Sequence, residues 1–134
     1  MVEQGLACYL DSSALVKLVI TESETPALAA FLRDYPRRIT SVVAAVEVPR
    51  AVARLGLGTP EELAALERDL YFVDLDQSLV AAAATVAPMG LRTLDAIHLA
   101  TALLLRPDLG ALVTYDRRLA DAAQAAGLEV VSPS

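Results

Sequence analysis

Short β-type runs alternate with helical segments along the whole chain, and this alternation limits the fold more than any other feature. Residues 6–10 (LACYL) read as a buried strand and 12–20 as a helix. Thr25-Pro26 matches an N-cap followed by proline at the first helical position, opening a helix to about residue 34. A second strand follows at 38–40, and Ser41 can cap the long helix after it. Thr59-Pro60-Glu61-Glu62 has capping-box spacing, residues 71–73 form a short strand, and Asp76 caps a helix ending near Pro88-Met89-Gly90. Thr93 is expected to cap a helix to residue 105, followed by a strand at 111–114 and a helix opened by Asp116. Gly127 stops that helix, and residues 128–131 make the last strand.

Strands alternating with helices imply parallel pairing with helices on both faces, an α/β fold with a mostly parallel sheet of about five strands. At 134 residues the chain is most simply one domain, residues 1–134, long enough to bury a core. The start, MVEQG, lacks the basic and apolar regions of a signal peptide, and no stretch reaches membrane-spanning length. A single cysteine, Cys8, sits in an apolar run and reads as a core residue in a reducing, cytoplasmic setting.

In such a fold the active crevice lies at the carboxyl ends of the strands. Four acids fall there. Asp11 and Asp116 follow the first and fourth strands, Glu47 lies early in the helix after the second, and Asp95 is second in its helix. Each has an ordinary explanation. Asp11 and Asp116 suit N-caps, Asp95 suits the helix dipole, and Glu47 shares a face with Arg50 and Arg54. His98, one turn after Asp95, reads as a histidine hydrogen-bonded within the fold. Four coincidences on one sheet edge are less economical than one acidic site.

An all-oxygen donor set suits Mg²⁺ or Mn²⁺ rather than zinc, because the chain has one His and one Cys. Such a site neutralises charge on a phosphodiester and activates water. The hydroxyls of Ser12, Ser13 and Thr114 flank the acids and could orient that water. A net charge of −6 excludes a broadly basic nucleic-acid binder, so recognition would depend on local arginines: Arg37, Arg38, Arg50, Arg92 and Arg117. With no Trp and 4% aromatic residues, extensive base stacking is not expected. Pro49, inside the helix that carries Glu47, removes a hydrogen bond and predicts a kink.

The segments YLDSSALVKL, AAVEVPRA, LDAIHLATA and VTYDRRLADAA, at these separations, resemble the PIN-domain nucleases, and within them the VapC-type toxins of toxin–antitoxin pairs. The resemblance implies a three-layer α/β/α sandwich and a Mg²⁺-dependent endoribonuclease site. It implies that Asp11, Glu47, Asp95 and Asp116 are the catalytic and metal-binding acids, assisted by Ser12 or Ser13 and Thr114. It also implies an RNA substrate, a homodimer, and a small antitoxin that occupies the acidic groove; the charge of four carboxylates adds the expectation that this antitoxin inserts a basic side chain there. Two alternatives are a non-catalytic PIN-like binding protein and a receiver-like phosphoacceptor domain. The latter wants paired acids at the first strand and a late lysine, whereas no lysine follows Lys17.

Overall fold

A computed structural model describes residues 6–134; the MVEQG stretch lies outside the described residues. Five strands form one all-parallel sheet: β1 (Ala7–Leu10), β2 (Arg38–Ser41), β3 (Tyr71–Val73), β4 (Leu109–Val113) and β5 (Val130–Val131), in the order β3-β2-β1-β4-β5. Around them lie α1 (Ser12–Val19), α2 (Thr25–Leu32), α3 (Ala44–Leu55), α4 (Pro60–Arg68), α5 (Gln77–Thr85), α6 (Thr93–Leu104) and α7 (Arg117–Ala125).

The central strand β1 is buried at every position, which is why its sequence is continuously apolar rather than alternating. Its side chains still divide by the period of two. Cys8 and Leu10 join the core under α1, α2 and α3, while Ala7 and Tyr9 join the core under α6 and α7. The expected three-layer sandwich is the observed one. Burial pushes the Cys8 thiol up to about 12, consistent with an inert core residue. Among the described residues no helix is long and apolar enough to cross a membrane.

Several local expectations change. Thr25 does not cap α2: its hydroxyl donates to the Lys17 carbonyl (2.8 Å) and accepts from the Glu22 amide (2.9 Å), fastening the α1–α2 turn. Thr93 is the first helical residue of α6 rather than its cap, so Asp95 stands third and not second, and Arg92 occupies the cap position without a side-chain capping bond. Ser41 accepts from the Val43 amide (3.2 Å) ahead of α3, whose cap residue is Val43. Helix α3 continues through Pro49 to Leu55. The strand β4 begins earlier than expected, at Leu109, passing so close to Tyr35 that a Cβ on Gly110 would lie 2.6 Å from the tyrosine hydroxyl. The capping box at Thr59 and the cap at Asp76 form as expected.

The sheet order has one consequence for the site. From β1 the chain builds outward through β2 and β3, then returns to place β4 on the other side of β1. Open parallel sheets bind ligands at this switch point, beyond the carboxyl ends of the two central strands.

Candidate active site

Asp11 follows β1 at the switch point, and its amide donates to the Val113 carbonyl of β4 (3.3 Å). As the N-cap of α1, its Oδ1 accepts from the Ala14 amide (3.1 Å) and from the Ser13 hydroxyl (2.7 Å). Its Oδ2 accepts from the Thr114 hydroxyl (2.6 Å). Ser13 Oγ in turn accepts from the Tyr115 amide (2.9 Å), and Thr114 Oγ1 from the Asp116 amide (3.0 Å). Each hydroxyl therefore spends its one hydrogen on Asp11 and its lone pair on the β4–α7 connection, so their 3.3 Å approach to each other is contact rather than a further bond. Asp11 is 3% exposed, and burial raises its carboxyl above the usual range, opposed in part by the Thr114 and Ser13 hydrogen bonds.

Glu47, in the first turn of α3, faces Asp11's neighbour Ser12. Its Oε1 accepts from the Ser12 hydroxyl (2.5 Å) and from His98 Nε2 (2.8 Å). His98 comes from α6 and is 1% exposed, with Nδ1 2.7 Å from the Tyr9 hydroxyl. An ionised carboxylate only accepts, so Nε2 carries the hydrogen, and in the neutral ring Nδ1 accepts from Tyr9 O–H. A line of hydrogen bonds thus runs from Tyr9 in the core through His98 to Glu47 at the surface. Burial alone would raise the Glu47 carboxyl; the His98 and Ser12 bonds outweigh it and hold the group below its usual range.

The rim is built by the starts of α6 and α7. Asp116, the N-cap of α7, accepts the Leu119 amide at Oδ1 (3.1 Å) and Arg92 Nη2 at Oδ2 (2.9 Å). Asp95 Oδ2 accepts from Arg92 Nε and lies equally close to its Nη2, both at 3.2 Å. One guanidinium therefore bridges carboxylates from two elements. Burial, and then the charge of Asp116, raise Asp95 above its usual range despite Arg92.

The donor chemistry fits a hard divalent cation: the inward groups are carboxylate oxygens, and two of them already share one positive charge. Among the described residues no three acid, His or Cys side chains stand together as a group that could hold a metal ion in this arrangement. Arg92 takes up one oxygen each of Asp95 and Asp116.

The other expected residues divide sharply. Arg50 lines a groove of about 530 Å³ together with Glu47, Ser12 and Ser13. Arg54 lines it too, one turn along the same face, a place that its spacing from Glu47 explains equally well as an ordinary surface charge. Arg117 is exposed at the start of α7, beside Asp116. Arg37 and Arg38 are not brought to this edge. They stand at the amino end of β2, where Arg38 Nη2 and Nε donate to the carbonyls of Leu32 (2.8 Å) and Tyr35 (2.9 Å) and finish α2. Arg92, expected among the arginines of the groove, instead lies across Asp95 and Asp116, and spacing gave no sign that Tyr9 would take part. His98 carried one signal, its place one turn after Asp95.

A family model described as the PIN domain matches residues 8–125. Ribonuclease VapC46 of Mycobacterium tuberculosis is 46% identical over 131 residues, covering 96% of this chain and 98% of that protein. Ribonuclease VapC35 of the same organism is 45% identical over 132 residues, covering 93% and 96%. Among solved structures, a toxin–antitoxin complex from Klebsiella pneumoniae superposes with a TM-score of 0.73 at 20% identity, covering 96% of this chain and 98% of that one. The sarcin–ricin loop cleaving toxin VapC20 of M. tuberculosis superposes with a TM-score of 0.70 at 14% identity, covering 95% and 100%. These two likenesses establish the fold.

Proposed function

The chain belongs to the PIN-domain family, among relatives named as VapC ribonucleases, and from that premise we propose that it is a Mg²⁺-dependent endoribonuclease, the toxin of a toxin–antitoxin pair. The observation that carries the reading is the approach of Asp95 and Asp116 to one shared cation beside the carboxyl ends of β1 and β4. Asp11, Asp95 and Asp116, with Glu47, are the residues that would hold Mg²⁺, which when bound offsets charge on the scissile phosphodiester and activates water. Ser13 and Thr114 keep Asp11 oriented, so the carboxylate needs no rearrangement when substrate arrives. Glu47, kept ionised by Ser12 and His98, supplies a charged oxygen to that set. Arg50 and Arg54 line the neighbouring groove and suit flanking phosphates.

The antitoxin in this reading inserts a basic side chain between the rim acids. Arg92 supports that idea, because a guanidinium already lies between Asp95 and Asp116 at hydrogen-bond distance. Residues 1–134 acting as one domain, and pairing as a homodimer, belong to the same proposal. The test is cleavage of single-stranded RNA by the pure protein. Activity should require Mg²⁺, stop with excess chelator, and fall on the order of a hundredfold or more in Asp95→Asn. Full activity in that variant, or in chelator, would sink the reading and favour a binding protein on the same fold.

A further inference from the structure

We propose that Arg92 is the site's own counter-ion: docked across Asp95 and Asp116 it competes for their oxygens, and it must leave that bridge before a divalent cation can be held there. The inference rests on reading Asp95 and Asp116 as metal ligands, and adds a competitor supplied by the chain itself.

Three observations carry it. First, the bridge joins different elements: Arg92 reaches Asp95 three residues on, and Asp116 across the rim at the start of α7. Asp116 Oδ1 is committed to the Leu119 amide, so Oδ2 is the oxygen left to face a cation, and Arg92 holds it. Second, Arg92 is an uneconomical choice for its local position. Ser, Thr, Asp and Asn are preferred at an N-cap because their oxygens satisfy helix amides, and Arg92 makes no such bond. A cation here also opposes the positive end of the α6 dipole. The side chain is explained by what it reaches rather than by the helix it starts. Third, the side chain is 64% exposed. Solvated ion pairs are weak, so the bridge can open, while Asp95 stays largely buried and keeps its need for a positive charge.

Docked Arg92 and bound metal draw on the same carboxylate oxygens, so the apparent metal affinity falls with the fraction of molecules in which Arg92 has left. A site docked nine-tenths of the time binds metal about tenfold more weakly than an open one. The arrangement keeps the acids paired when no metal is present and reserves the site for a cation that outcompetes a guanidinium.

The test is Mn²⁺ binding by calorimetry, without RNA, on the full chain and on R92Q, R92K, D95N and D116N, with the Arg92 Nε–H resonance followed during Mg²⁺ titration of the unaltered protein. We expect R92Q to bind Mn²⁺ about three- to tenfold more tightly, R92K to fall between, and the Nε–H signal to move with the same midpoint as metal binding. Unchanged or weaker binding by R92Q, with D95N and D116N both impaired, overturns the gate and leaves the metal site standing. An Nε–H signal that stays put at saturating Mg²⁺ also overturns it, because tighter binding by R92Q would then be a charge effect alone. Unimpaired binding by D95N and D116N removes the metal-site reading, and the gate with it.

Discussion

Asp11 and Asp116 make a natural pair for comparison: both follow adjacent strands of the sheet and both cap a helix, yet their negative charges are met in opposite ways. Asp11, on the floor, spends both oxygens on neutral donors fixed by the backbone: an amide of α1 and the hydroxyls of Ser13 and Thr114. Asp116, on the rim, spends one oxygen on its helix and gives the other to an exposed arginine. The floor is preorganised and the rim is compensated. The hydroxyls stay with Asp11 and orient it, whereas the exposed guanidinium on Asp116 can be exchanged for another cation. The two acids should therefore fail differently when altered, the floor through stability and the rim through binding.

The largest difference in stability should come from Thr114→Val set beside Asp116→Asn. Thr114 is fully buried, and its hydroxyl both donates to Asp11 and accepts from the Asp116 amide. Valine keeps the shape but leaves a buried carboxylate short of a donor and an amide short of an acceptor, at a cost of about 2 kcal/mol. That should appear as a loss of several degrees in Tm. Asparagine at 116 can still cap α7 and gives up only the pairing with Arg92, worth at most about 1 kcal/mol at this exposure. Equal losses of Tm in the two variants would erase the distinction between floor and rim.

A second measurement sharpens it through pH. Asp11 and Asp95 have carboxyls raised above 3.8, their ordinary value, so the folded protein binds these protons more readily than the unfolded chain. Metal-free stability should therefore rise as pH falls from neutral through the raised values toward 3.8. Glu47 acts in the opposite sense. Its carboxyl is lowered from 4.5, so the stability it contributes is present above that pH and lost as pH falls through its folded value. The metal-free optimum should lie on the acid side of neutral, set by Asp11 and Asp95. Saturating Mg²⁺, which binds the ionised carboxylates, should move it upward. Urea unfolding between pH 4 and 8, with and without Mg²⁺, measures this. A single optimum, unmoved by Mg²⁺, would mean that the cation does not meet these acids.

How much of the site is legible in the sequence depends on whether backbone rules or long side chains place each group. Capping acids follow local rules, on floor and rim alike. An aspartate after an apolar run and before a helix is a cap, and parallel connectivity carries both such caps to one edge, so Asp11 and Asp116 were legible along with the five strands. Rim chemistry depends on where a long side chain goes. A hydroxyl at Thr93 satisfies the capping rule, whereas α6 starts one residue earlier and the Arg92 side chain before it turns to Asp95 and Asp116. Paired guanidiniums suit phosphate, which makes Arg37 and Arg38 candidates for the site on sequence alone. Strand direction argues otherwise, since residues preceding a parallel strand stand at the amino end, away from the crevice. The contact from His98 to Glu47 spans 51 positions and has no local signature.

The smallest effect should come from Tyr9→Phe, and it tests whether the floor extends into the core. Tyr9 is fully buried, and in the neutral-ring arrangement its hydroxyl donates to His98 Nδ1 while Nε2–H donates to Glu47. Phenylalanine fills nearly the same space but strips Nδ1 of its donor, leaving one buried acceptor unsatisfied at about 1 kcal/mol. The ring still fits, yet the preference for carrying hydrogen on Nε2 weakens, because the alternative tautomer no longer conflicts with a donor at Nδ1. Glu47 then loses part of what holds it ionised and aimed. If Tyr9 and His98 are positioning residues, kcat should fall a few-fold with KM unchanged, and the loss should be largest at low pH, where Glu47 most needs its donors. A fall in cleavage as deep as that of Asp95→Asn would instead place the Tyr9–His98 line within the chemistry itself.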